Sequence, residues 1–177
     1  MKAMEIIRRC EEQDIPAVLA LYRQGSAYLE DAGVPQWLNG YPGLDNLRAD
    51  MAAGGSYVLV QDGRIAGTCF LSLEPDPNYA VIENGAWLND RPYVTIHRIA
   101  VRPDAKGRGA AALFVKEAEQ LARRHNMADL RADTHEKNRS MRRFLAKNGF
   151  VCTGLVHLAD GAPRLAFQKR IDDSVHR

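Results

Sequence analysis

The stretch IAVRPDAKGRGAAALF, residues 99–114, decides how this chain folds. It begins with apolar residues typical of a strand, passes through a charged turn with two glycines, and continues into an alanine-rich segment of helical character. The first turn of a helix has amide N–H groups without internal partners, and its dipole favours anions by roughly 0.3 to 2 kcal/mol. Because Gly107 and Gly109 carry no β-carbon, we expect a large anion, most naturally a phosphate, to approach the backbone there.

The residues beside the two glycines favour an anion site and exclude two common versions of it. Lys106 and Arg108 place positive charge at the rim, while Ala110 and Ala111 keep the start of the helix narrow. The chain lacks the GxxxxGK[ST] pattern of a nucleoside triphosphate loop. It also lacks the GxGxxG pattern of a dinucleotide-binding fold, because position 112 is Ala. A tight connection between strand and helix, with no ligand, is the alternative.

Length and composition indicate one soluble globular domain over residues 1–177. Hydrophobic residues make up 46% of the chain and charged residues 26%, so a packed core is expected. The net charge of +2 provides no broad basic field for nucleic acid, and no apolar run approaches the roughly 18 residues of a membrane span. The three cysteines form no CxxC pair and the histidines show no metal-ligand spacing. We therefore expect no metal, no disulfide framework and a cytoplasmic location.

Hydrophobic periodicity around the opening stretch predicts a mixed α/β domain of about seven strands and four helices. Asp62-Gly63 suits the tight turn of a β-hairpin, Asp14 is the expected N-cap of the first helix, and Gly149 is expected to end the last one. The strands are expected at residues 4–9, 56–61, 64–73, 93–101, 128–134, 150–158 and 163–171. The helices are expected at residues 15–29, 44–53, 109–126 and 141–148.

Two motifs in this order resemble the GCN5-related N-acetyltransferase (GNAT) family. The opening stretch is similar to the family's pattern Q/R-x-x-G-x-G/A between a strand and a long helix. Lys106, Gly109 and Ala111 occupy the patterned positions, with Lys106 in place of the usual Gln or Arg. The later segment THEKNRSMRRFLAKNGFVCTG is similar to the family's N-x-x-A…GF segment through Asn138 and the pair Gly149-Phe150. The resemblance covers essentially the whole chain.

The resemblance implies that acetyl-CoA is the acyl donor. Its pyrophosphate would be held by backbone amides of the glycine-containing turn, and its pantetheine arm by the end of the fourth strand. That strand and the fifth run parallel and splay apart in this fold, while the other strands are mostly antiparallel. Asn138 would hydrogen-bond the arm from the other side, and an N-cap role for Asn138 is an alternative that can coexist with it. The residues so assigned are Ile99, Ala100, Val101, Lys106, Gly107, Arg108, Gly109, Ala110, Ala111 and Asn138.

A catalytic base is useful because most of the acceptor amine is protonated. At pH 7, about one in a thousand molecules of an alkylamine with a pKa of about 10.4 is neutral. The resemblance implies a carboxylate on the fourth strand thirteen residues before the first motif position, and that place holds Tyr93. His97, farther along the same strand, is the best replacement by its ordinary pKa of about 6.5. Glu83 is the competing base. A structural, hydrogen-bonded role for His97 is the alternative.

A second departure from the family pattern concerns the acid that protonates the departing thiolate. The usual tyrosine lies seven residues after the motif asparagine, and this chain has Leu145 there. Tyr79, Tyr93 and His135 are the remaining acid candidates. Because a thiol with a pKa of about 8.5 leaves readily as thiolate, we expect catalysis to depend mainly on positioning and on a strand amide near residues 99–100 that stabilises the oxyanion.

These features predict an N-acetyltransferase that passes the acetyl group of acetyl-CoA to a primary amine in a ternary complex, without a covalent enzyme intermediate. A non-catalytic acyl-CoA-binding or regulatory module is the alternative, favoured by the missing tyrosine and the missing carboxylate. A small-molecule or peptide amine would meet the irregular loops at residues 34–43 and 74–92, which carry no recognisable motif. We expect no nucleic-acid or membrane partner. Exposed final strands support pairing in many such folds, so a homodimer stays open.

Overall fold

A computed structural model describes residues 4–171 and places seven β-strands and four α-helices within them, in the predicted order. The strands are β1 (Glu5–Arg9), β2 (Ser56–Gln61), β3 (Arg64–Ser72), β4 (Tyr93–Val101), β5 (Asp129–Thr134), β6 (Val151–His157) and β7 (Pro163–Arg170). The helices are α1 (Ile15–Asp31), α2 (Leu44–Ala52), α3 (Ala110–Arg124) and α4 (Arg139–Lys147). Short 3₁₀ turns lie at Glu12–Asp14, Pro77–Tyr79 and Pro103–Ala105.

The strands form one sheet in the order β1-β2-β3-β4-β5-β7-β6. Neighbours β1 and β2, β2 and β3, β5 and β7, and β6 and β7 are antiparallel, whereas β4 and β5 are parallel. The pairing of β4 with β5 runs from Tyr93–Asp129 to Thr95–Arg131, although β4 itself continues to Val101. This mixed sheet with a parallel β4/β5 pair confirms the predicted fold class.

The chain divides into two compact units. One comprises the residues up to Leu71 together with His97–Glu117, and the other comprises Ser72–Ile96 together with the residues from Ala118 onward. In the first unit, the core joins α1, α2 and β2 through Cys10, Ile15, Val18, Tyr22, Leu47 and Val58. In the second unit, Tyr79, Val156 and Ala166 form a smaller core with Ile82, Trp87 and Tyr93 packed against it. The interpretation of residues 1–177 as a single domain stays a prediction.

Two turns behave as their sequences predict. Asp62 and Gly63 have positive φ values of 49° and 76°, the conformation that joins β2 to β3 in a tight hairpin. Gly149 has a φ of 88°, and the N–H of Phe150 donates to the carbonyl of Leu145 at 3.0 Å. Such a left-handed residue after the last helical turn ends α4 as expected.

Asp14 does not cap α1 with its side chain. It precedes the helix, but it has helical angles (φ −84°, ψ −15°) because a 3₁₀ turn leads directly into α1. Its carboxylate instead accepts from the N–H of Glu11 at 2.8 Å and forms an ion pair with Arg8 at 2.6 Å. The predicted start of the helix and its N-cap position are right, although the side chain of Asp14 makes no capping hydrogen bond to α1.

The outer edge of β6 is partly covered by the chain itself. Glu83 and Leu155 exchange two backbone hydrogen bonds of 2.8 Å, and the N–H of Ala86 donates to the carbonyl of Thr153 at 3.0 Å. These bonds use backbone N–H and C=O groups that a strand of a second chain would need. This edge is therefore partly blocked for strand pairing. A homodimer through the final strands stays a prediction.

Between Met4 and Ile171, no helix combines the length and apolar character needed to cross a membrane. Over the same residues, no group of three or more His, Cys, Asp or Glu side chains is arranged to hold a metal ion.

Candidate active site

The turn between β4 and α3 is an exposed backbone loop. After β4 ends at Val101, one 3₁₀ turn leads to Lys106 in extended conformation, and the four residues Lys106 to Gly109 are all exposed. The N–H of Arg102 donates to the carbonyl of Ala66 at 2.7 Å, which ties the start of the loop to β3. The buried Ala105 and Ala110 anchor the loop at both ends. The loop therefore presents its backbone to solvent from a firmly held base.

Both glycines of the loop are needed for their conformation. Gly107 has a φ of 74° and Gly109 a φ of 83°, values that residues with a β-carbon rarely adopt. A β-carbon built at either position would meet no atom within 4 Å. The open side of the loop is thus available to a ligand, and the loop leads directly into the first turn of α3, whose N–H groups have no carbonyl partners inside the helix.

The side chain of Lys106 is held near the loop by α1. Its ammonium nitrogen lies 3.8 Å from the centroid of the Tyr28 ring. Such a cation–π contact at an exposed site contributes about 0.5 to 1 kcal/mol. Positive charge is therefore kept at the rim of the loop, where an anionic ligand would need it. Sequence periodicity could not identify Tyr28, which lies on the exposed side of α1.

Close packing in the first unit sets the position of α3. A β-carbon at Gly67 on β3 would lie 3.1 Å from Cε2 of Phe114 and 3.2 Å from the carbonyl oxygen of Ala100. Phe114 is completely buried, as its place in the predicted apolar stripe of α3 requires. Because Gly67 has no side chain, the start of α3 approaches the end of β4, and the exposed loop lies between them.

The end of β4 contains the residues predicted to hold the pantetheine arm. Ala100 is buried, while Ile99 and Val101 are half-buried. His97 precedes them on the same strand and is also half-buried. Its ring is nearly parallel to that of Phe70, at an interplanar angle of 20° and a centroid distance of 6.4 Å. The loop, the strand end and His97 therefore all belong to the first unit.

Arg98, which sequence reasoning missed, joins β4 to α2. Its Nε donates to Oδ2 of Asp50 at 2.8 Å, and one terminal nitrogen donates to the hydroxyl of Tyr41 at 3.0 Å. The guanidinium carbon also lies 4.9 Å from the centroid of Phe70. Burial raises the pKa of Asp50, against the opposing effect of the hydrogen bonds from Arg98. No local pattern signals this pair, because its members lie 48 positions apart.

Tyr93 is part of an aromatic cluster in the second unit. Its hydroxyl accepts from the N–H of Asp76 at 3.0 Å, and its ring lies 4.0 Å from the guanidinium carbon of Arg131. Trp87 lies on Arg131 as well, at 4.1 Å, so two rings enclose the cation. Burial lowers the pKa of Arg131. These contacts give Tyr93 a packing role. Its hydroxyl already accepts a hydrogen bond, which makes Tyr93 a less favourable candidate for proton transfer.

Polar atoms without a partner concentrate around Arg131. Within the described residues, both carboxylate oxygens of Asp129, Nε of Arg131 and Nε2 of Gln168 are buried without a hydrogen-bond partner. Thr95 and Asn89 each add one such atom. A buried polar group left unpaired costs roughly 1 to 3 kcal/mol. Beside these atoms, the N–H of Leu88 donates to Oε1 of Gln168 at 2.8 Å.

The other candidates of the second unit have identified contacts. Glu83 is exposed, and its carboxylate lies 4.0 Å from Nδ1 of His157. Asn138 is buried at the start of α4, where Oδ1 accepts from the N–H of Met141 at 3.1 Å. Asn138 is thus an N-cap, which was the alternative interpretation and does not conflict with a ligand contact. Leu145 is buried in α4, as an apolar residue should be.

Two of the acid candidates are engaged with neighbours. The hydroxyl of Tyr79 donates to Oδ2 of Asp133 at 2.6 Å, and burial together with that carboxylate raises the pKa of Tyr79 well above its ordinary value. Nδ1 of His135 accepts from the N–H of Lys137 at 3.1 Å. Burial lowers the pKa of His135, and the positive charge of Arg164 lowers it further. The raised pKa makes Tyr79 a weaker acid, and the lowered pKa leaves less of His135 protonated, so neither is well suited to protonate a thiolate.

The chain matches the model of the acetyltransferase (GNAT) family over residues 18–150. A GNAT-family acetyltransferase of Streptococcus agalactiae 2603 is 34% identical, with 96% of each chain covered and a TM-score of 0.86. The ribosomal-protein-S18-alanine N-acetyltransferase of Escherichia coli is 15% identical, with 98% of each chain covered and a TM-score of 0.64.

The Salmonella typhimurium protein yncA, whose structure contains its cofactor acetyl-CoA, is 17% identical, with 97% of this chain and 96% of that chain covered and a TM-score of 0.66. At such identities, the Escherichia coli and Salmonella proteins show a shared fold alone. The family model matches most of the chain and the Streptococcus protein resembles nearly all of it. The resemblance inferred from the two sequence motifs is therefore confirmed, and the chain belongs to the GNAT family of acetyltransferases.

Proposed function

We propose that this acetyltransferase transfers the acetyl group of acetyl-CoA to a primary amine by direct attack in a ternary complex. The exposed loop between β4 and α3 is the observation that carries the proposal. Four successive exposed residues, two left-handed glycines and the start of a long helix form a surface that fits a diphosphate. Family membership makes the enzyme a better interpretation than the non-catalytic acyl-CoA-binding module.

The donor would be held at two places in the first unit. Backbone amides from Lys106 to Ala111 would bind the diphosphate, with the ammonium of Lys106 kept close by Tyr28. The backbone of Ile99–Val101 would pair with the pantetheine arm. The side chain of Arg108 is exposed and adds charge to the rim.

The transfer removes two protons from the acceptor nitrogen and replaces one C–S bond by one C–N bond. The acceptor ammonium would lose its first proton to His97, directly or through a water molecule. The nitrogen lone pair would then attack the thioester carbon to form the C–N bond, and the C–S bond would break as CoA leaves as thiolate. The second proton would pass from the nitrogen to solvent, or to the departing thiolate through water, which leaves a neutral amide. A backbone amide near residues 99–100 would stabilise the oxyanion. We expect this stabilisation to contribute more to the rate than proton removal does.

His97 is favoured over the two other candidates by its surroundings. It is half-buried beside Phe70 on the strand that leads into the donor loop. Glu83 is exposed and lies beside His157, and the hydroxyl of Tyr93 is already engaged by a backbone N–H. Because an exposed carboxylate and a packed phenol are weak bases at neutral pH, neither replaces His97 well.

A CoA-release assay with a panel of amines tests the proposal. The panel contains peptide N-termini, polyamines, amino acids and small aromatic amines, and free thiol is followed with and without each amine. We expect amine-dependent thiol release from the wild type, and a reduced rate with a changed pH profile for His97→Ala. Calorimetric binding of CoA without thiol release for any amine would instead support the acyl-CoA-binding module. An unchanged kcat and pH profile for His97→Ala would remove His97 as the base.

A further inference from the structure

Arg98 has an unusual backbone conformation for its residue type. Its φ is 51° inside strand β4, a left-handed value. For a residue with a β-carbon this costs roughly 1 to 2 kcal/mol. Asn and Asp tolerate such values, and these are the residue types of the other non-glycine positions with positive φ between Met4 and Ile171, which lie in turns and bends: Asn39, Asp62, Asn84 and Asn126.

The side chain of Arg98 supplies interactions that offset this strain. It forms paired hydrogen bonds with the carboxylate of Asp50, a third with the hydroxyl of Tyr41, and a cation–π contact with Phe70. The side chain of Arg98 is 15% exposed and that of Asp50 is 5% exposed. The planar guanidinium matches a carboxylate with two bonds, which an ammonium cannot do. The strand is thus held in its irregular form from three sides.

Stability alone does not explain a buried pair of this kind. Removing two charges from water costs about as much as their attraction returns, so apolar side chains of similar size serve stability equally well. Burial raises the pKa of Asp50, while its hydrogen bonds from Arg98 oppose that effect. Apolar residues could fill the same space, but they would not fix the backbone geometry of β4 at residue 98. The ion pair does so through directional hydrogen bonds.

That point adjoins the groups used in the proposed reaction. His97 precedes Arg98, and its ring lies against the same Phe70 ring that the guanidinium contacts. Ile99 and Ala100 follow, with the amides proposed to stabilise the oxyanion. A change of φ at residue 98 would rotate the chain between the base and these amides.

We propose that Arg98, anchored by Asp50, is a positioning residue for acyl transfer. It holds the left-handed turn of β4 so that His97 and the amides after it keep the arrangement in which they act together. This inference rests on the proposed function. It predicts that loss of the pair lowers kcat more than it weakens binding of acetyl-CoA, because hydrogen bonds of Arg102 and Ala105 hold the loop proposed for the diphosphate independently of Arg98.

The test compares Arg98→Gln and Asp50→Asn with two matched controls. Arg8→Gln removes the arginine partner of Asp14, whose side chain is 6% exposed and thus as buried as that of Asp50. Arg48→Gln removes an exposed ion pair with Glu12 from helix α2 itself. We expect a fall in kcat of roughly 10- to 100-fold for Arg98→Gln and Asp50→Asn, the size that misplacement of reacting groups produces. The KM for acetyl-CoA should change by a smaller factor than kcat.

Both controls should keep the kcat of the wild type. Arg8→Gln should lower Tm as Arg98→Gln does, so it separates a loss of stability from a loss of positioning. A second readout does not need turnover: the NMR signals of the His97 imidazole should shift in Arg98→Gln and Asp50→Asn but not in the controls. If Arg98→Gln does not fold, Arg98→Lys replaces it. This variant keeps the charge but cannot form the paired bonds to Asp50, so its kcat should also lie below that of the wild type.

The outcomes separate the two proposals. A wild type that acetylates no amine contradicts the proposed function. An active wild type with unchanged kcat and unchanged His97 signals in both variants overturns the role of Arg98. A fall in kcat that follows Tm equally in Arg98→Gln and Arg8→Gln also overturns it, because the pair would then act only on stability.

Discussion

The ammonium of Lys106 lies 3.8 Å from the ring centroid of Tyr28, so a residue of α1 holds the cation at the rim of the donor loop. The two residues are far apart in the chain, and neither is buried. A cation held in place before a ligand arrives loses less conformational freedom on binding. Helix α1 thereby contacts the loop between β4 and α3 that is proposed to bind the diphosphate.

Lys106→Gln should weaken CoA binding by roughly tenfold, since a charge-assisted hydrogen bond contributes about 1.5 to 3 kcal/mol and exposure reduces it. Tyr28→Leu should weaken it by about two- to threefold, the size of an exposed cation–π contact. Isothermal titration with CoA measures both. Pantetheine, which lacks the diphosphate, should bind all three proteins equally. Tight CoA binding by Lys106→Gln would contradict the assignment of the loop.

Gly109→Ala should reduce both stability and CoA affinity. At a φ of 83° an alanine costs roughly 1 to 2 kcal/mol, although its β-carbon would meet no neighbour. Gly161→Ala is the matched control, because Gly161 has a φ of 86°, also has no neighbour within 4 Å, and lies in the turn between β6 and β7. Urea denaturation should show similar losses for the two variants. Equal CoA affinity in Gly109→Ala and Gly161→Ala would contradict the proposal that the loop binds CoA.

The ion pair of Asp14 with Arg8 should make part of the stability depend on pH. The hydrogen bond from Arg8 lowers the pKa of Asp14 below its ordinary value of about 3.9. A carboxyl whose folded pKa is depressed contributes its stability above the unfolded pKa and loses it as the pH falls through the folded pKa. Asp14→Asn should therefore lower Tm at pH 7, and the difference from the wild type should shrink below about pH 4. A constant difference from pH 7 to pH 3 would contradict this assignment.

Tyr79→Phe should affect folding more than catalysis. The variant removes a buried hydroxyl that donates to Asp133 at 2.6 Å, a bond to a charged group that contributes about 1.5 to 3 kcal/mol. Because the raised pKa of Tyr79 makes it a poor acid, kcat should fall less than about tenfold. Urea denaturation and steady-state rates measure the two effects. A loss of kcat of about 10³-fold would show that the thiolate does need this acid.

Local patterns predicted the elements because their causes are local. Helix α3 follows the stripe of Phe114, Val115, Ala118 and Leu121, all of which are buried. The hairpin forms at Asp62-Gly63 because both residues accept positive φ. Asp14 takes the expected N-cap position, but its side chain makes no capping bond because the preceding 3₁₀ turn gives it helical angles.

The arrangement around the candidate site depends on contacts between distant positions. Tyr93 was predicted as a residue of the site, and the fold places its ring against Arg131 and its hydroxyl on the N–H of Asp76. Arg98 was overlooked because its importance depends on Asp50, on a separate helix. Neither relationship leaves a periodic signal, since side chains of distant segments meet only after the chain has folded.

The order of strands and helices, the two GNAT motifs, the glycine-containing loop after β4 and the capping position of Asn138 were determined by the sequence itself, because propensity, periodicity and positive φ depend on residues that are close along the chain. Tertiary structure decided that the ammonium of Lys106 lies against the ring of Tyr28 and that Asp50 pairs with Arg98 of β4. The physical reason is that ion pairs and ring contacts depend on distance in space, and only the packed fold defines that distance.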